Sequence, residues 1–182
     1  MVASGTYGYG EEAKSLTDIN ELGAIITKSV TRHPREGNPP PRIAEERYGM
    51  LNSIGLPNPG IQALLNGDAL SWPSLKVPII ASIAGYSTTD FRDLASAFED
   101  IPGVVAIEAN FSCPNIEHGL EFATDTTLLT EAIQAIREVS SIPLLAKLSP
   151  NVGGCNICPT SERGGSNRVS GHFNRIRPVS KR

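Results

Sequence analysis

The chain has 182 residues, 40% of them hydrophobic, and a formal net charge of −3. It is long enough to bury one core. No apolar run nears the ~20 residues that span a bilayer, and Met1-Val2-Ala3-Ser4-Gly5 lacks the charged and apolar regions of a secretory leader. Three cysteines, an odd number, argue against a disulfide framework, so a cytoplasmic protein with no membrane association is expected.

Val2 to Ser4 reads as the stub of a strand, broken by Gly5, Gly8 and Gly10. Glu11 to Leu22 has helical character, and Ala24 to Thr27 is a short apolar second strand. Arg32 to Pro59 is rich in Pro, Asn and Gly and reads as a long irregular stretch, which in a compact domain is usually functional or disordered. Asn58-Pro59 ahead of Gly60-Ile61-Gln62-Ala63-Leu64-Leu65 predicts a helix start, with Asn as N-cap and Pro at the first helical position.

Val77 to Ala84 predicts a third strand, and Ser87 and Thr88 predict the cap of a helix through Phe98. Val104 to Ala109 predicts a fourth strand. Asp125 to Val139 carries Leu128, Leu129, Ala132, Ile133 and Ile136 at spacings of three and four, an amphipathic helix. Pro143 to Leu148 predicts a fifth strand. Strands alternating with helices predict an α/β fold with a parallel sheet. The strands show no period-two alternation, as expected when both faces are covered.

After Pro150 the pattern ends. Residues 151–182 hold six basic groups (Arg163, Arg168, Arg175, Arg177, Lys181, Arg182) against one acid, Glu162. Taken from the chain totals of 16 and 19, these leave 10 basic and 18 acidic groups ahead of residue 151, so the front carries −8 and the tail +5. Residues 152–182 show no countable period and read as a separate, disordered basic tail. A basic arm can suit nucleic acid. Here aromatic interleaving is limited to Phe173, and no nucleic-acid partner is expected.

The most informative run is Asn110-Phe111-Ser112-Cys113-Pro114-Asn115, directly after the fourth strand. In α/β folds ligands bind at that end of a strand. A lone cysteine is most often a small core hydrophobe. Here its neighbours are poor core residues, and a thiolate can take a proton from carbon. The glycine cluster Ala3-Ser4-Gly5-Thr6-Tyr7-Gly8-Tyr9-Gly10 is at minimum a turn; no Gly-Lys-Ser/Thr follows, so it is not a Walker loop. Lys28 and Ser29 end the second strand and Lys147 ends the fifth, where a cation among apolar residues needs an anionic partner. Cys155 and Cys158 form one CxxC with His172 distant, and no metal is expected. His33 and His118 receive no role.

These phrases, with Gly49-Met50-Leu51-Asn52-Ser53-Ile54-Gly55-Leu56-Pro57-Asn58-Pro59-Gly60, resemble the cysteine-type, FMN-carrying dihydroorotate dehydrogenases, in a class 1B-like form. The resemblance covers about residues 1–151. It implies a (β/α)8 TIM barrel oxidising dihydroorotate to orotate. Cys113 would be the base; Ser4, Gly5, Lys28, Ser29 and Lys147 would contact FMN; Lys28, Asn52, Asn110 and Asn115 would contact substrate. It also implies an electron-transfer subunit carrying iron–sulfur and FAD. A homo-oligomer is allowed but not required.

About five strands are countable, so an incomplete barrel is expected, without strands six to eight. Such a sheet would expose its inner face and one edge, be aggregation-prone and bind FMN weakly or not at all. The alternatives are a non-catalytic fragment of the family and a pyrimidine-binding domain like that of dihydropyrimidine dehydrogenase.

Overall fold

A computed structural model describes residues 1–12, 15, 18–112, 121–149 and 168–170. The elements are β1 (Ile25–Ile26), β2 (Ile43–Glu46), β3 (Gly49–Asn52), α1 (Ile61–Leu65), β4 (Ile79–Ile83), α2 (Thr88–Phe98), β5 (Val104–Asn110), α3 (Glu121–Thr124), α4 (Thr126–Arg137), β6 (Leu144–Lys147) and β7 (Arg168–Ser170). Five of them form one parallel sheet in the order β1-β4-β5-β6-β7, and β2 pairs with β3 in an antiparallel hairpin. The first-strand stub is a parallel bridge from Val2 to Ile25. No described helix is long and apolar enough to cross a membrane.

The two well-patterned helices form where the sequence predicts them. Ser87 caps α2 by accepting from the Asp90 N–H at 3.1 Å, and Asp125 caps α4 by accepting from Thr127 and Leu128. Their apolar faces, Phe91, Leu94, Ala95 and Phe98 on α2 and Leu129, Ala132, Ile133 and Ile136 on α4, are buried. They join one large cluster with Ile25, Ile79, Ala81, Ile83, Ile107, Ala109, Leu144 and Ala146 from the sheet. Ala24, Ile26, Ile80 and Ala106, with Leu145 against them, form a second, smaller cluster. Successive strand residues point to opposite faces, so the sheet has a helix-covered outer face and a distinct inner face.

One residue of slip decides which is which. The β4–β5 register runs Ile79↔Val104 and then Ile80↔Ala106, leaving Val105 bulged and 48% exposed. The bulge sends Ala106, Glu108 and Asn110 inward. Without it the whole set would face the helices.

The central strands are buried on both faces, as expected, with Ser82, Glu108, Asn110 and Lys147 at inner positions between outward Ile83, Ile107, Ala109 and Ala146. Other expectations are corrected. The inner face is not bare: Ser82 is 0%, Glu108 2%, and Ile80 and Ala106 7% exposed. These side chains pack and hydrogen-bond laterally. The stretch from Arg32 to Pro59 contains the β2–β3 hairpin, whose exposed Glu45, Glu46 and Tyr48 give no burial pattern to read.

Asn58 is not the N-cap of α1. Gly60 is; at φ +80°, a Cβ there would meet the Pro34 nitrogen at 2.8 Å. Asn58 instead accepts from the N–H groups of Gly60 and Thr31 and donates to the Leu56 carbonyl, closing the loop onto the end of the second strand. Of the expected helix from Glu11 to Leu22, the described residues show only a 3-10 turn at Ile19–Glu21. Arg168–Ser170 pairs in parallel with β6, where composition predicts no strand.

A tether joins the end of α2 to the turn before β6. Hydrogen bonds from the hydroxyls of Ser140 and Ser141 and from the Ser141 backbone hold Glu99 down from the usual 4.5 to about 2. A carboxylate depressed by folding stabilises above its unfolded value and loses that contribution as pH falls through its folded one. Glu99→Gln is therefore expected to lower Tm at pH 6–7. The gap to wild type should close as pH drops from about 4.5 toward 2, in thermal melts over that window. A gap independent of pH would rule the tether out.

Candidate functional site

At the carboxyl ends of β4, β5 and β6 the inner face changes from apolar to polar. Ser82 on β4 donates its hydroxyl to Glu108 Oε1 on β5 at 3.1 Å. The Lys147 ammonium on β6 lies 3.8 Å from the same oxygen. Ser29 Oγ is 2.8 Å from Ser82 Oγ and accepts from Asn110 Nδ2 at 3.0 Å. Ser4 Oγ donates to Ser82 Oγ at 3.2 Å and is 3.3 Å from Ser29 Oγ. Asn110 Oδ1 accepts from the Ser112 N–H at 3.2 Å and hydroxyl at 2.9 Å. Ser29, Ser82, Glu108, Asn110 and Lys147 are all buried.

Burial of Lys147 is tolerated because Glu108 is its counter-ion. At 3.8 Å the pair is a charge contact longer than a hydrogen bond, which leaves the ammonium hydrogens to another acceptor.

The glycine loop reaches this end through the Ser4 hydroxyl and the Gly8 carbonyl, which accepts from the Lys28 N–H, while its aromatic residues enter the outer core. Tyr7 and Tyr9 are buried in the large cluster, and Trp72 Nε1 donates to the Tyr9 carbonyl at 2.8 Å. Burial, then the charges of Asp68 and Glu12, push the Tyr9 phenol above its ordinary 10.0. Gly5 has φ +84°, and a Cβ there would meet nothing within 4 Å. A left-handed turn with open space beside it suits close approach by a flat ring.

Of the residues singled out in the sequence, Ser4, Ser29, Asn110 and Lys147 are brought into one cluster. Lys28 precedes Ser29 in the chain and is half-buried, with its backbone N–H on the Gly8 carbonyl at 2.8 Å. Asn52 ends the hairpin opposite Ile43, and among the described residues no hydrogen bond joins it to the cluster. Cys113 and Asn115 lie outside the described residues, as do Cys155, Cys158, His118 and His172. Sequence reasoning missed Ser82 and Glu108. A carboxylate inside Val104-Val105-Ala106-Ile107-Glu108-Ala109 was the available signal, since an acid is rarely buried unpaired.

The dihydroorotate dehydrogenase family profile matches residues 1–161. The chain belongs to the dihydroorotate dehydrogenase family. It is 45% identical over 153 residues to a dihydroorotate dehydrogenase B (NAD(+)) catalytic subunit of Listeria innocua, covering 84% of this chain and 50% of that protein. The subunit of the same name from Desulforudis audaxviator is 42% identical with the same coverage. That from Halalkalibacterium halodurans is 41% identical over 172 residues, 93% of this chain and 56% of the relative. The chain thus spans about half the length of these relatives. The likeness runs past Asn151, where the sequence reading ended it. The fold seen here, a parallel sheet with helices on one face, agrees with part of the (β/α)8 barrel expected for a dihydroorotate dehydrogenase.

The residues present fit a flavin of this family. The donor set is rich in hydroxyl and ammonium groups, the Lys147 hydrogens are not used by Glu108, and the Gly5 turn leaves room for a ring. Ser4, Gly5, Lys28, Ser29 and Lys147 are the groups that the family resemblance would assign to it.

Proposed function

We propose that the chain carries the flavin-facing and substrate-facing residues of a dihydroorotate dehydrogenase, oxidising dihydroorotate to orotate in pyrimidine biosynthesis. The observation that supports this most is the family match combined with a buried ammonium, Lys147, on the ligand end of the sheet. The substrate loses a proton from C5 and a hydride from C6, and a C5–C6 double bond forms. Cys113 takes the C5 proton as thiolate. FMN, when bound, supplies the acceptor for the hydride. Asn52 and Asn115 offer N–H donors to the substrate's oxygens and carbonyl acceptors to its ring N–H groups, and Asn110 offers an N–H donor. Lys28 supplies a cation for the substrate carboxylate and flavin edge, and Lys147 one for charge that develops on the flavin.

An electron-transfer subunit carrying iron–sulfur and FAD is the partner this reading requires, passing electrons to NAD, and the location is cytoplasmic. The purified chain is expected to take up about one FMN and to form orotate with a dye acceptor. Dihydrouracil should be turned over far more slowly, which separates this reading from a dihydropyrimidine dehydrogenase-like domain. A cooperatively folded chain that takes up no FMN would overturn the flavin assignment.

A further inference from the structure

The polar cluster on the inner face has a direction, and one residue sets it. As the ion-pair partner of Lys147, the Glu108 carboxylate can accept hydrogen bonds but has no hydrogen to give. The contact with Ser82 Oγ at 3.1 Å therefore commits the single hydrogen of Ser82. Ser82 Oγ must then accept from its other neighbours, Ser29 at 2.8 Å and Ser4 at 3.2 Å. That commits the Ser29 hydrogen, so Ser29 Oγ in turn accepts from Asn110 Nδ2 at 3.0 Å. With its amide nitrogen on Ser29, Asn110 turns its carbonyl oxygen to Ser112. The chain runs Ser112 to Asn110 to Ser29 to Ser82 and ends on Glu108.

We propose that Glu108 is a positioning residue of this site: its carboxylate orders the serine hydroxyls and fixes which way the Asn110 carboxamide faces, while retaining the Lys147 ammonium on the inner face. The consequence for a ligand is specific. One Asn110 N–H is held by Ser29 and its carbonyl is held by Ser112. Among the described residues the group left for a ligand is the second N–H, a donor suited to a carbonyl or carboxylate oxygen. The ordering of the chain is independent of which ligand binds; only the pairing of that donor with a pyrimidine oxygen rests on the function proposed above.

Both ends of one directed chain must be coupled although Glu108 and Asn110 share no direct hydrogen bond. A double-mutant cycle on the full chain, without ligand, tests this by denaturant unfolding. Glu108→Gln and Asn110→Ala together are expected to depart from the product of their separate effects on the unfolding equilibrium by at least about twofold. In a Ser29→Ala background, which cuts the chain between them, that departure should vanish. Additive effects in the first cycle, or coupling that survives Ser29→Ala, overturns the proposal. If Glu108→Gln does not fold, Ser82→Ala, the next link, replaces it in the same cycle with the same expected outcomes. FMN titration of the wild type, scored separately, bears on the flavin reading alone, so the two can fail independently.

Discussion

Cys113→Ser is expected to reduce dihydroorotate turnover by about 10²- to 10⁴-fold at neutral pH, the usual contribution of a general base, while leaving FMN uptake unchanged. An unperturbed thiol ionises near pH 8.5, so a useful fraction of a cysteine is already thiolate at physiological pH. A serine hydroxyl at the same place is not ionised there, and the proton on carbon has no base to go to. The pH–rate profile carries the signature. The wild-type rate should climb and level off as the thiol ionises, whereas the serine variant should keep rising with hydroxide. In the sequence Cys113 follows three positions after Asn110, the last residue of β5, and that strand end is where the inner face turns polar. Equal rates for wild type and variant would remove Cys113 from the mechanism.

Phe91→Ala is expected to cost about 3–5 kcal/mol of stability, a large share of the roughly 5–15 kcal/mol that holds a domain together. Phe91 is fully buried on α2 and touches two other buried rings, Phe111 at 4.8 Å and Phe122 at 5.3 Å between centroids. Phe111 and Phe122 are 6.1 Å apart, so the three form one cluster under the outer face. Phe111 lies between Asn110 and Ser112, and its ring fixes the start of the run that leads to Cys113. Removing Phe91 should therefore loosen that run as well as the core. Denaturant unfolding reads the stability loss; faster hydrogen exchange at Phe111 and Ser112 than in β4 reads the loosening. A loss below about 1 kcal/mol would show that the cluster repacks.

Much of the sheet was legible because the local pattern and the tertiary role agree. β4, β5, β6, α2 and α4 each have an apolar set whose spacing already states the element, and the caps at Ser87 and Asp125 use side chains that favour that place. The hairpin was not legible because both its strands are largely exposed, and alternation carries no signal where neither face is buried. Asn58 was misread because the same side chain that caps helices also closes turns. The site was half legible. Ser4, Ser29, Asn110 and Lys147 sit in recognisable phrases, whereas Ser82 and Glu108 sit within apolar strands and acquire meaning only through their neighbours.

By itself the sequence determined that strands and helices alternate, that the sheet is parallel, and that Asn110 and Lys147 stand at strand ends. Only the tertiary structure decided that Ser4 and Ser29, 25 residues apart, and Ser29 and Asn110, 81 apart, share one hydrogen-bonded chain ending on Glu108. The physical reason is that face and register in a parallel sheet are set by lateral pairing between distant strands. The bulge at Val105 illustrates it: local periodicity cannot announce which way a residue turns when a partner strand shifts by one.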